Sequence, residues 1–82
     1  MPNYINFYFD DLTYDDSTFL GQFRAPDYDV KCEFEYDRKS GKINIWNNNK
    51  TIEEIGVIPI WFLNFKLQKN GVLNEKEYKI SF

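Results

Sequence analysis

The sequence predicts a mainly β fold, or α+β with one short helix: a single small antiparallel sheet, sandwich or barrel of five or six strands, forming one domain over residues 1–82. Three observations carry that expectation. Apolar and polar residues alternate with a period of two over residues 3–9 and 30–36, the pattern of strands with one buried face. Turn-forming clusters, notably Asp37-Arg38-Lys39-Ser40-Gly41 and Asn70-Gly71, separate the apolar runs. The chain also carries eight Phe, six Tyr and two Trp. Each ring can bury roughly 150–250 Å², which a chain this short needs because its core is thin.

The elements follow in order. Ile5, Phe7 and Phe9 face one way and Tyr4, Asn6 and Tyr8 the other, which makes the first strand. Residues 10–29 hold six Asp with Ser17, Gly21 and Pro26, a turn-rich composition. Within it, Phe19, Leu20 and Phe23 either pin a loop or form a short strand. Val30, Cys32, Phe34 and Tyr36 alternate with Lys31, Glu33 and Glu35 in the clearest amphipathic strand, its first four facing the core. A five-residue loop over 37–41 then leads to a strand over 42–46, with Ile43 and Ile45 inward and Trp46 outward beside Lys42 and Asn44.

Thr51-Ile52-Glu53-Glu54 has capping-box spacing, with Thr51 as cap and Glu54 reaching back to it. Gly56 closes that helix of one or two turns by taking a left-handed conformation. The run 57–67 is the densest apolar stretch, and its first half is apolar on both faces, as in a central strand. Pro59 cannot donate to a ladder, so it belongs at that strand's start or at a bulge. Asn70-Gly71 supplies a type I′ turn that sets Trp61 opposite Ile80 and Leu63 opposite Tyr78 in a final strand over about 76–82.

The absence of His removes the usual general base, the Ser-His-Asp and Cys-His nucleophile systems and the commonest transition-metal ligand, so the chain is not expected to be an enzyme. Cys32 falls on the core face, where a thiol is inert. A single Cys cannot form an intrachain disulfide, which points to the cytoplasm. The N-terminus carries no secretion signal and no apolar run approaches the ~20 residues that span a bilayer, so no membrane partner is expected. Abundant Asn, Lys, Ile, Tyr and Phe fit an AT-rich bacterial or phage coding sequence. No cofactor is expected. The clustered Asp lack the Asp-x-Asp-x-Asp-Gly spacing of a calcium loop, so no metal site is assigned.

Tyr14-Asp15-Asp16-Ser17-Thr18-Phe19-Leu20-Gly21 resembles the aromatic-x4-aromatic-x-Gly corner of βγ-crystallin Greek-key motifs, and Asn47-Asn48-Asn49-Lys50-Thr51 is similar to the first part of that family's calcium loop. The resemblance spans under a quarter of the chain. Ile52 stands where that loop has Ser, and no second motif completes the domain, so the family is not adopted.

Charge is sorted by position. Residues 1–37 hold nine acids against two bases, a net of −7, and residues 38–82 hold eight bases against four acids, a net of +4. Such asymmetry points to an electrostatic partner. The expected function is a non-enzymatic protein-binding module, a small acidic inhibitor or immunity protein that blocks a basic, nucleic-acid-handling target. Its contact surface is expected to combine Asp10, Asp11, Asp15, Asp16, Asp27 and Asp29 with Tyr8, Tyr14 and Tyr28, aromatic anchors ringed by charge. The alternative is a ligand- or nucleic-acid-binding β domain using Arg38, Lys39, Lys42 and Lys50 with Trp46 as a stacking ring. The net charge of −3 and pI near 4.8 oppose a polyanion. Two further outcomes are that the acidic and basic parts neutralise each other within the chain, or that they drive self-association, and a homodimer would support a thin core.

Overall fold

The computed structural model describes residues 5–46 and 49–81. Five strands form one antiparallel sheet: β1 (Asn6–Tyr14), β2 (Thr18–Ala25), β3 (Val30–Asp37), β4 (Ile43–Trp46) and β5 (Glu77–Ser81), in the order β4-β3-β2-β1-β5. The first four form a meander. Two helices, α1 (Lys50–Ile55) and α2 (Val57–Asn70), then carry the chain from one edge of the sheet to the other, so that β5 pairs with β1. The architecture is α+β, with the sheet expected from the sequence.

The alternation of each strand decides which face is covered. Register aligns Phe9 with Phe23 and Tyr78, Phe23 with Cys32, and Phe34 with Ile45, so all of these side chains stand on one face. Ile52, Ile60, Leu63 and Leu67 of the helices complete a single buried cluster with them. Phe34 meets Phe9 and Phe19 edge-on, with ring centroids 5.8 and 5.2 Å apart. Such pairs contribute about 0.5–1.5 kcal/mol beyond the area they bury.

A bulge lies in β1. Its register with β2 shifts between Asp10 and Thr13, and Asp11 takes a left-handed φ of 51°. The extra residue moves the inward set from odd positions (Phe7, Phe9) to even ones, so that Leu12 fills the space left by Gly21, where a Cβ would collide with Leu12 Cδ2.

The helical half of the chain corrects the expectations. The run 57–67 is helical, not a central strand, and the central strand is β2, drawn from the turn-rich segment. In α2 the residues Pro59, Ile60, Leu63, Asn64 and Leu67 turn toward the sheet, a period of 3.6. Pro59 is the third helical residue, and the Ile60 N–H is the first to reach back, to Gly56 O, so the missing proline donor leaves no bond unmade. Asn70-Gly71 is therefore a helix end, with Gly71 at φ 81° donating to Leu67 O, and the pairing of Trp61 with Ile80 and Leu63 with Tyr78 does not form.

Helix α1 is capped by Asn49, whose side chain accepts from Ile52 N, two residues before the expected Thr51. Gly56 is right-handed (φ −68°, ψ −19°); a Cβ there would lie 2.9 Å from Phe23 Cζ, so it is small because the helix junction presses on the sheet. The stretch 14–21 forms the tight β1–β2 turn, where Asp15 N donates to Thr18 O, and the start of β2. The similar calcium-loop stretch lies partly outside the described residues, as do Tyr4 and Phe82. Among the described residues no helix is long and apolar enough to cross a membrane.

Candidate binding face on the open side of the sheet

Both helices pack on one side, so the opposite face of the sheet is open, and the register lays its residues out in rows. Lys31 of β3, Arg24 of β2, Tyr8 of β1 and Lys79 of β5 form one row. Trp46 of β4, Glu33, Gln22, Asp10 and Glu77 form the next. Asn44, Glu35, Leu20 and Thr13 form the third. The bulge brings Asp11 into this part of the face, where it accepts from the Gln22 amide.

The first row is basic, the other two contain four carboxylates (Asp10, Glu33, Glu35, Glu77) and no base, and Asp11 on the bulge adds a fifth carboxylate beside them. Strands lie ~4.8 Å apart and successive rows roughly 6.7 Å, so the five sit within an area of about 15 by 10 Å. Glu77 is drawn toward the basic row by a 2.6 Å ion pair with Arg24. Tyr8 lies between the charges of that row, with the Arg24 guanidinium 4.7 Å and the Lys79 ammonium 5.8 Å from its ring centroid.

Within the carboxylate field, Asp11, Leu20, Gly21, Glu33, Phe34 and Trp46 line a shallow groove of about 630 Å³. Trp46 is 54% exposed and Leu20 39%. A large ring beside carboxylates, on a rigid sheet, is the composition of a contact anchor with a charged rim.

The expected Asp/Tyr set is not one surface. Asp10 and Asp11 belong to the face just described. Asp15 and Asp16 lie at the β1–β2 turn, where Asp15 Oδ1 accepts from the backbone N–H groups of Ser17 and Thr18 at 2.7 and 2.8 Å. Those donors hold the Asp15 carboxyl below its ordinary value of 3.8. Asp27 and Tyr28 lie in a 3-10 turn and Asp29, at φ 53°, just after it. That turn is at the opposite end of β1, where the Asn6 amide reaches Asp27, roughly 25 Å from the first turn. The Tyr14 hydroxyl is engaged within the fold, accepting from Leu73 N at 3.1 Å.

The alternative set is dispersed too. Arg38 donates from Nε to Asn64 Oδ1 at 3.0 Å and from Nη1 to Asp15 O at 2.6 Å, fastening both hairpin turns to α2. Lys39 and Lys42 are exposed around the β3–β4 turn, where Asp37 accepts from Lys39 N and Ser40 N and is held below 3.8 by them. Lys50 opens α1. Trp46 sits at the far end of β4 from that turn, paired with Glu33, so its neighbours are acids. Among the described residues, no group of three or more Asp, Glu or Cys is placed to hold a metal ion.

Glu33, Glu35 and Glu77 were not singled out from the sequence. Each alternates with core residues, which marks an outward side chain, but only the register reveals that β3 and β5 bring them onto one face with Asp10 of β1. No family model, curated protein or solved structure matches the chain.

Proposed function

We propose that the protein is a non-enzymatic protein-binding module that takes a basic partner on the carboxylate half of its open sheet face, with Trp46 and Leu20 as apolar anchors. The observation that carries the reading is the two successive rows that hold four carboxylates and no base, with Asp11 of the bulge as a fifth beside them. Exposed ion pairs each contribute only about 0–1 kcal/mol, so the charge supplies steering and partner choice, and the rings supply affinity. A small inhibitor or immunity protein of bacterial or phage type, acting in the cytoplasm on a nucleic-acid-handling target, fits this division of labour. Such a target has a basic groove sized for phosphates, which a rigid patch of carboxylates can occupy. The lack of His supports a role without chemistry.

The test is recovery of a partner from a host extract on the tagged full chain and on two variants. Wild type should retain one stoichiometric basic protein, released as salt rises. The combined Glu33→Gln, Glu35→Gln and Trp46→Ala variant should lose it, and Lys39→Ala with Lys42→Ala should keep it. Retention by the first variant, or recovery of nucleic acid lost with the second, would overturn the reading.

A further inference from the structure

We infer that the protein forms a closed two-fold homodimer through the outer side of α2. This surface is distinct from the open sheet face, so the inference stands or falls separately from the proposed function.

Helix α2 has two apolar sides. At about 100° per residue, Pro59, Ile60, Leu63, Asn64 and Leu67 form a buried arc, and Ile58, Trp61, Phe62 and Phe65 form a second arc roughly 180° away. The second arc is open: Ile58 is 51% exposed, Trp61 61%, Phe62 57% and Phe65 63%. No charged residue occurs from Val57 to Phe65. A helix apolar all round is a buried helix, and here the fold covers only one side of it.

Three features identify the cover as a second copy. The first is spacing. Positions 58, 61, 62 and 65 read the same in both directions, so two antiparallel copies place Ile58 against the partner copy's position 65 and Trp61 against its position 62. This is the self-complementarity that a two-fold contact requires. The second is charge. Glu54, exposed in α1, lies as many residues before the centre of the stripe as Lys69, exposed in α2, lies after it. Antiparallel pairing sets the end of α2 that joins α1, near which Glu54 lies, over the end of the partner's α2 that carries Lys69, and parallel pairing would not.

The third is area. The stated exposures leave roughly 450 Å² on these four side chains, taking ~150–250 Å² for a whole aromatic. Two copies thus supply about 900 Å² of the ~1,200 Å² at which specific interfaces begin, and the flanking stems of Gln68 and Lys69 are available for the rest. A groove of about 420 Å³ beside the stripe, lined by Tyr36, Asn64 and Gln68 together with the stripe itself, offers a socket for the partner's ring.

Sedimentation velocity on the full chain over a dilution series tests this. A species of about twice 9.9 kDa should dissociate to monomer on dilution. Phe62→Glu sets like charges at the two-fold axis and should weaken association by roughly 100-fold or more with an unchanged circular dichroism spectrum, since the ring is outside the core. Lys69→Glu should weaken it, and Glu54→Lys added to Lys69→Glu should restore it. A monomer throughout the series, oligomers that keep growing with concentration, an unaffected Phe62→Glu dimer, or a charge swap that restores nothing would each overturn the inference.

Discussion

Substituting Gly56 by Ala should destabilise the protein although Gly56 has ordinary right-handed helical angles. The added Cβ would stand 2.8 Å from Ile52 O, 2.9 Å from Phe23 Cζ and 3.2 Å from Ile45 Cδ1. Two of these neighbours cannot swing away. Ile52 O is backbone and accepts the Gly56 N–H at 2.8 Å, and Phe23 is 1% exposed within a packed set of rings. Overpacking of this kind costs about 1–3 kcal/mol, and the helical preference of Ala over Gly returns at most ~1 of it. The expected net loss is about 1–2 kcal/mol, or roughly 5–15 °C in Tm for a chain of this size. Paired urea and thermal melts of wild type, Gly56→Ala and Gly71→Ala measure it. Gly71 is the contrast: a Cβ there meets nothing within 4 Å, but φ is 81°, so its cost is conformational and Gly71→Asn should recover most of it. Gly56→Asn should be worse than Gly56→Ala. A Gly56→Ala variant as stable as wild type, or one improved by Asn, would refute the steric account.

Two other outcomes follow from the turns and the core. Asp15 and Asp37 are held below 3.8 in the folded state, Asp15 chiefly by the Ser17 N–H and Asp37 chiefly by the Ser40 N–H. A depressed folded value means that the stability they contribute is complete above the unfolded value and is lost as pH falls through the folded one. Urea midpoints should therefore be flat near neutrality and fall below about pH 4, and Asp15→Asn with Asp37→Asn should flatten that fall; an unchanged slope would count against the assignment. Cys32 is 2% exposed on the core face of β3, so its thiol should resist maleimide in native protein and react at the rate set by unfolding. Rapid labelling without denaturant would contradict that burial.

Strands whose alternation was complete were legible. Phe7 and Phe9 in β1, Cys32, Phe34 and Tyr36 in β3, and Ile43 and Ile45 in β4 all face the core as their period of two implies. The run 57–67 was misread for a physical reason. A helix apolar on opposite sides loses its period of 3.6, because Ile58, Trp61, Phe62 and Phe65 fill the positions that a surface helix gives to polar residues. Pro59 and Gly71 were then read with strand rules, although each suits a helix end equally well: proline where no donor is needed, glycine where φ is positive. The ambiguity was itself a signal, since a helix loses its amphipathic pattern when something else is to cover its second side. For β2 the difficulty was opposite. Gly21 stands where an inward residue belongs, because Leu12 from the bulge occupies the space, and this gap between Phe19 and Phe23 hid the strand.

The candidate face was legible in its chemistry and not in its membership. Sorting of charge along the chain suggested an acidic half and a basic half, but a meander folds distant segments side by side. Arg38 of the basic half bonds to the carbonyl of Asp15, and Glu77 of the same half joins Asp10 in one row. What survives is the register: residues two apart on one strand differ by a row, so Arg24 and Gln22, or Lys31 and Glu33, fall in rows of different sign. Sequence order cannot express that until the pairing is known.

The two surfaces also constrain each other. The stripe on α2 points away from the sheet, and the carboxylates lie on the sheet's far side, so a dimer closed through α2 leaves both carboxylate faces free and directed apart. Each dimer would then be bivalent. Its hold on a surface dense in basic target should exceed its solution affinity for one copy by a factor that ranges up to about 10²–10⁴ when geometry allows both contacts. Phe62→Glu should abolish that excess and leave the single-copy affinity in solution unchanged, because Phe62 and Trp46 lie on opposite sides of the molecule. Biolayer interferometry at high and low target density, beside titration in solution, separates the two quantities. If Phe62→Glu lowered the solution affinity as well, α2 would belong to the partner's contact surface, and the assignment of one face to the target and the other to a second copy would fail.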